Sequence, residues 1–191
     1  MVAGHVSDIS VDSHLIEAGI RSSLMTFAKM LPKNRMVLKS QDFIDSSGAA
    51  RSCLQQLQCD GVAVTLSLTG RLSGTLDLVL DTRGAQQLVA ALMGAGATTS
   101  LFDEMACSVL KEAGNIVASA FLGAIEALCG RGGLPGVPVL HIGGRCREEE
   151  ESRLLYALPL NLVAPTDGGQ TARGGIFISL HSNDSTLISA D

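Results

Sequence analysis

Ser108-Val-Leu-Lys111-Glu112-Ala-Gly114-Asn115-Ile-Val-Ala-Ser119-Ala-Phe-Leu122-Gly-Ala-Ile-Glu126 is the stretch on which the reading of this chain turns. It lies inside a long helical pattern expected from about Phe102 to Cys129, ended by Gly130, Gly132 and Gly133. At about 100° per residue, Ser108, Glu112, Asn115, Ser119 and Glu126 share one narrow stripe. Met105, Val109, Ala113, Ile116, Ala120 and Ala124 are assigned to the opposite side and expected to face a sheet. Asn is a weak helix former, and Gly114 beside it costs about 1 kcal/mol relative to Ala. Two such residues in mid-helix need a reason. The small residues Gly114, Ala118 and Ser119 would leave Glu112 and Asn115 standing above a low surface that a partner protein could approach.

Working outward, residues 13–31 read as a helix, with Ile16, Ile20, Leu24, Phe27 and Leu31 on one face and Pro32 beyond its end. Met36 to Ile44 reads as a frayed strand, Ser46 to Ala50 as a turn, and Arg51 to Asp60 is undecided. Val62, Val64, Leu66 and Leu68 alternate, as do Leu76, Leu78 and Leu80, which predicts a β-hairpin with one buried face. A short helix over 83–94 follows. Past the long helix, Val137–Ile142, Leu154–Val163 and Gly175–Leu180 read as strands. Pro159 suggests that the second is an edge or carries a bulge, and Glu148 to Glu151 reads as a solvated turn. The order helix, strand, two strands, helix is followed by helix, strand, two strands. That predicts one α/β (α+β) domain over residues 1–191. It would be a mostly antiparallel sheet under two long helices, built from duplicated halves of about 13–96 and 102–182 without a closing helix at Asn183–Asp191.

Composition narrows the function. The chain has 191 residues and a net charge of −5, with 46% hydrophobic and 3% aromatic residues and no Trp. The core must be aliphatic. No Lys/Arg cluster or aromatic platform offers a grip on nucleic acid. The five cysteines, at 53, 59, 107, 129 and 146, show no CxxC spacing, and the four histidines are scattered. No metal site is expected, and reduced thiols imply a reducing compartment. No signal peptide or membrane-length apolar run is read, so the expected location is cytoplasmic. The glycine-rich pieces match no phosphate or dinucleotide fingerprint.

An isolated ExxN on a helix reads most simply as a solvated face. Here Ser108, Glu112 and Asn115 are followed, after 22 further residues, by Pro138. That four-part pattern, the string Glu-Ala-Gly-Asn-Ile-Val-Ala-Ser and the hairpin Leu68-Thr-Gly-Arg-Leu-Ser-Gly-Thr-Leu76 resemble the CheC/CheX/FliY group of response-regulator phosphatases. The resemblance spans most of residues 13–181 and is nearest to CheX. It implies a phosphatase for the aspartyl-phosphate of a CheY-like receiver domain in chemotaxis or two-component signalling. Asn115 would orient the attacking water and Glu112 would pair with the receiver's active-site lysine. Ser108 and Pro138 would support the site, with Lys111, Ser119 and Leu122 as partner contacts. Leu122 is equally readable as an exposed anchor or as partly buried under a loop, and Pro138 as shaping a strand entrance. The protein would need no cofactor of its own, since Mg²⁺ would come from the receiver, and CheX-like proteins form homodimers. In the first helix Ser13 and Glu17 stand in register with Ser108 and Glu112, but Ile20 occupies the place of a second Asn, so a single site is expected. Two other readings remain: a non-catalytic module that binds a response regulator or flagellar switch component, and a structural dimer packed through the long-helix face. The last would bury two Glu carboxylates at considerable cost.

Overall fold

The computed structural model describes residues 13–58, 61–70, 72–94, 103–130, 133–143, 153–165 and 171–181. Its elements are α1 (Ser13–Met30), β1 (Val37–Ser40), α2 (Ser47–Gln58), β2 (Val62–Gly70), β3 (Gly74–Leu80), α3 (Thr82–Met93), α4 (Glu104–Cys129), β4 (Gly133–Pro135), β5 (Val139–Ile142), β6 (Arg153–Val163) and β7 (Thr171–His181). The strands form one sheet in the order β1-β6-β7-β3-β2-β4, with β5 also on β2. Every pairing is antiparallel. Exchanging β1 with β5, β2 with β6 and β3 with β7 turns the path β1-β6-β7-β3-β2-β5 into the same path read backwards, a two-fold pattern in the sheet.

The alternating hairpin residues explain the layering. Val62, Val64, Leu66 and Leu68 on β2 and Leu76, Leu78 and Leu80 on β3 point to the face that α1, α3 and α4 cover, in one aliphatic core with Ile16, Ile20, Leu88, Leu110, Val117 and Phe121. The opposite face carries a smaller cluster, in which Ala50, Leu54 and Leu57 of α2 pack on Ala63, Val79, Leu155, Ala157 and Phe177. α4 is long and apolar enough to cross a membrane by length and composition; in this fold its side chains Leu110, Val117, Phe121 and Ile125 are buried in the core.

Several expectations are corrected. Ser46–Ala50 is not a turn: α2 begins at Ser47 and takes in the undecided segment as far as Gln58, with Cys59 and Asp60 lying outside the described residues. Its apolar residues recur at four- and three-residue steps, but serines, glutamines and Gly48 mask the pattern. The strand expected over Met36–Ile44 is confined to Val37–Ser40, plus one bridge from Ile44 to Ala157. β6 lies between β1 and β7, so it is no edge strand. Pro159 is tolerated because its carbonyl and its missing N–H both face the β1 side, just past Ser40, the last residue of β1; there its carbonyl accepts from the Gln41 N–H. The strand expected from Val137 starts at Val139, and β4 precedes it. Leu68 opposes Pro135 and Thr65 opposes Val139, so one extra residue lies in Gly136–Pro138. β4 and β5 are thus one edge interrupted by a bulge, which blunts strand addition there. The Glu148–Glu151 turn and the Asn183–Asp191 tail lie outside the described residues.

One carboxylate ties the layers together. Asp81 caps α3 by accepting from Gly84 N at 2.6 Å and accepts from Arg173 N of β7 at 2.8 Å. Asp81→Ala should lower unfolding stability by about 1–2 kcal/mol, the usual loss of a helix cap with a second bond. Asp81→Asn should recover part of it, and chemical denaturation of the three proteins checks the order.

Candidate functional site

α4 is held firmly at both ends. Asp103 caps its start, accepting from Met105 N at 2.8 Å. Gly130 ends it in the left-handed conformation at φ 69°, its N–H donating to the Glu126 carbonyl. Between these ends the helix lies along β2 through Gly114. A Cβ there would sit 2.5 Å from Val64 Cγ1 and 3.3 Å from Leu66 Cδ1. Gly114 and Ala118 are therefore helix–sheet packing residues and not part of a low outer surface. The seat of the helix runs through Leu110, Ala113, Gly114, Val117, Phe121 and Ile125. The expected buried face was misplaced by about a quarter turn: Val109, Ile116, Ala120 and Ala124 are only partly buried, and Met105 is 58% exposed.

The polar stripe is where the sequence puts it. Ser108, Lys111, Glu112, Ser119 and Glu126 are exposed, and Asn115 is partly buried. Among the described residues, no hydrogen bond or ion pair engages the side chains of Glu112 and Asn115. One turn apart on a rigid helix, their Cβ atoms are about 5–6 Å from each other. A carboxylate and a carboxamide so placed, with no internal partner, offer an acceptor and a donor–acceptor pair to something outside the chain.

Leu122 departs from this picture. It falls on the same stripe yet is only 3% exposed. β4 crosses over it: a Cβ on Gly133 would lie 3.4 Å from Leu122 Cδ2. Leu122 is a core residue and no partner contact. The same crossing fixes the place of Pro138. α4 runs beside β2 from Val64 toward Gly70, and β4–β5 return along the outer edge, Gly133 opposite Gly70 and Leu140 opposite Val64. The bulge with Pro138 is therefore level with Asn115 and Ser119 and flanks the stripe. A proline there cannot donate to a neighbouring strand.

The corresponding position on α1 is closed. Ile20 is fully buried, and Gly19 lies under Phe121, where a Cβ would meet the ring at 2.8 Å. Glu17, the counterpart of Glu112, is engaged by Arg21 at 2.7 Å. Elsewhere, Cys53, Cys107 and Cys129 are partly buried cysteines outside any disulfide among the described residues. Burial pushes the Cys53 thiol up, and the Arg173 charge pulls it partly back. No group of three or more His, Cys, Asp or Glu side chains that could hold a metal occurs among the described residues.

No protein-family model matches the sequence, and no curated protein matches it significantly. Solved structures do match. A chain of the CheX–CheY–BeF3–Mg²⁺ complex from Borrelia burgdorferi aligns over 87% of this chain and 97% of its own, with TM-score 0.62 and 20% identity. FliY from Thermotoga maritima aligns over 93% and 92%, with TM-score 0.64 and 15% identity. The FliM middle domain from H. pylori aligns over 94% and 100%, with TM-score 0.64 and 10% identity. The fold is the one that the resemblance implied, that of CheX, FliY and CheC-like chemotaxis proteins.

Proposed function

We propose that this protein dephosphorylates the aspartyl-phosphate of a CheY-like receiver domain by inserting Glu112 and Asn115 into the receiver's phosphorylation pocket. The observation that carries the reading is the pair itself: two polar side chains without partners among the described residues, a turn apart on a capped helix whose other side is locked to the sheet. The ordering of Ser108, Glu112, Asn115 and Pro138 supports it, as does a same-fold chain in a complex with CheY.

The chemistry asks little of the protein. Attack on an acyl phosphate is in-line displacement by water, and catalysis is mostly positioning and charge neutralisation. The receiver holds the phosphoryl group and its Mg²⁺. Asn115 would accept a hydrogen bond from the attacking water with its amide oxygen and hold it in line. Glu112, accepting from the receiver's lysine, would set the depth and angle of docking. Ser108 and Ser119 extend the polar contact along the helix, Lys111 lies at its rim, and Pro138 shapes the wall beside Asn115.

The test is the lifetime of phosphate on a receiver loaded with acetyl phosphate. Adding this protein should shorten it saturably. Glu112→Ala, which removes a charge-assisted bond worth about 1.5–3 kcal/mol, should lower kcat/KM by about 10- to 100-fold. An unchanged lifetime with the parent protein defeats the enzymatic reading.

A second reading keeps the partner and drops the chemistry. The fold also occurs in FliM middle domains, and the closed α1 position is a case where this scaffold carries no such pair. A binding module would hold the phosphorylated receiver without changing its phosphate lifetime, whatever stands at position 115.

A further inference from the structure

We infer that Met105 is the apolar docking anchor of the α4 surface, the residue that sets affinity for the receiver domain without taking part in hydrolysis. This rests on the function proposed above. Met105 stands seven residues before Glu112, two turns earlier on the same side of α4, so that Met105, Ser108, Glu112, Asn115 and Ser119 follow steps of three, four, three and four. It is 58% exposed, in line with the polar pair.

Three observations give that exposure a purpose. First, Met105 is not on a fraying end. Asp103 accepts from its backbone N–H, so the first turn of α4 is fixed and the side chain is presented at a set place. Second, the other large apolar residue on the stripe, Leu122, is sealed under β4, leaving the amino-terminal end as the only apolar element of the described stripe that a partner can reach. Third, Met105 lies about 10 Å along the helix axis from Glu112, inside the footprint of a standard interface of about 800 Å² per partner. The hydrogen bonds of the polar pair fix the docking pose, and burial of an apolar side chain beside them adds affinity that does not depend on their geometry. A flexible thioether beside the pair gains affinity by burial and adapts to the facing surface. The surface is continuous with the proposed site and the occupant is the same receiver domain.

The experiment compares the parent, Met105→Gln and Asn115→Ala. Phosphate loss from an acetyl-phosphate-loaded CheY-like receiver gives kcat and KM. Titration against the same receiver held with BeF3⁻ and Mg²⁺ gives Kd. Met105→Gln keeps length and flexibility and removes apolar character. It should raise KM and Kd by about 5- to 10-fold with kcat within about twofold. Unchanged KM and Kd overturn the anchor. A fall in kcat at unchanged KM also overturns it, since the residue would then act on the reaction. If the parent binds but does not hydrolyse, the enzymatic reading falls, and a weakened Kd for Met105→Gln still upholds the anchor. If the parent neither binds nor hydrolyses, both readings fall.

Discussion

Asn115→Ala is expected to reduce dephosphorylation of the receiver by about 100- to 1,000-fold, the scale of losing one preorganised polar group at a reacting centre, while making the protein slightly more stable. The two effects have one origin. Asn115 stands in the middle of a 26-residue helix, partly buried and without an internal partner among the described residues. Alanine is the better helix former there by about 0.5 kcal/mol. A residue kept for its fold would lose stability on truncation. One kept for chemistry gains it and loses rate. Denaturant unfolding and the phosphate-release assay, run on the same preparation, read both signs. A stable variant with parental activity excludes the water-positioning role. An inactive variant that is also strongly destabilised makes Asn115 a structural residue.

The second large effect is at Gly114. Gly114→Leu should cost more than about 3 kcal/mol and lower activity as well, because the clash begins at the Cβ, 2.5 Å from Val64 Cγ1 and 3.0 Å from Val64 Cβ. Val64 is a short, branched strand residue that is 1% exposed, so it cannot swing aside. The helix must lift, and Glu112 and Asn115 lift with it. Gly114→Ala is the graded version. Overpacking of about 1–3 kcal/mol is offset by about 1 kcal/mol of helix propensity. Combining it with Val64→Ala should return much of the loss, a positive coupling that a double-mutant cycle measures. Additive losses would show that the helix does not seat through this contact.

These two neighbours show how differently one helix reads from sequence. The polar stripe was legible because Ser108, Glu112, Asn115 and Ser119 contrast sharply with their surroundings, and all but the partly buried Asn115 are exposed. The buried face was not, because alanine and glycine cover much of the remainder and carry almost no hydrophobic contrast. Gly114 read as a cost paid for outer access, whereas its missing Cβ lets β2 come close. Met105 was assigned inward, although its seven-residue spacing from Glu112 places it on the stripe. Leu122 lay beyond helix arithmetic, because the cover comes from β4, a strand of Gly133–Pro135 with too little pattern to announce itself. The same limit hid α2, whose polar sequence declares a helix only through Ala50, Leu54 and Leu57. The β2–β3 hairpin was readable on one face, where strict alternation on both strands sets which residues point to the main core; its other face, expected to be open, is covered by α2 through Ala63 and Val79. Ile20 was informative from either side: as a break in the second motif, and as a core residue closed off by its neighbours.

The most direct measurement is the structure of this protein bound to a CheY-like receiver carrying BeF3⁻ and Mg²⁺. The account predicts the outer face of α4 against the receiver, the Glu112 carboxylate on the receiver's lysine, and the Asn115 amide within hydrogen-bond reach of a water in line with the bond to be broken. A complex in which the receiver docks elsewhere, leaving Glu112 and Asn115 in solvent, would contradict it.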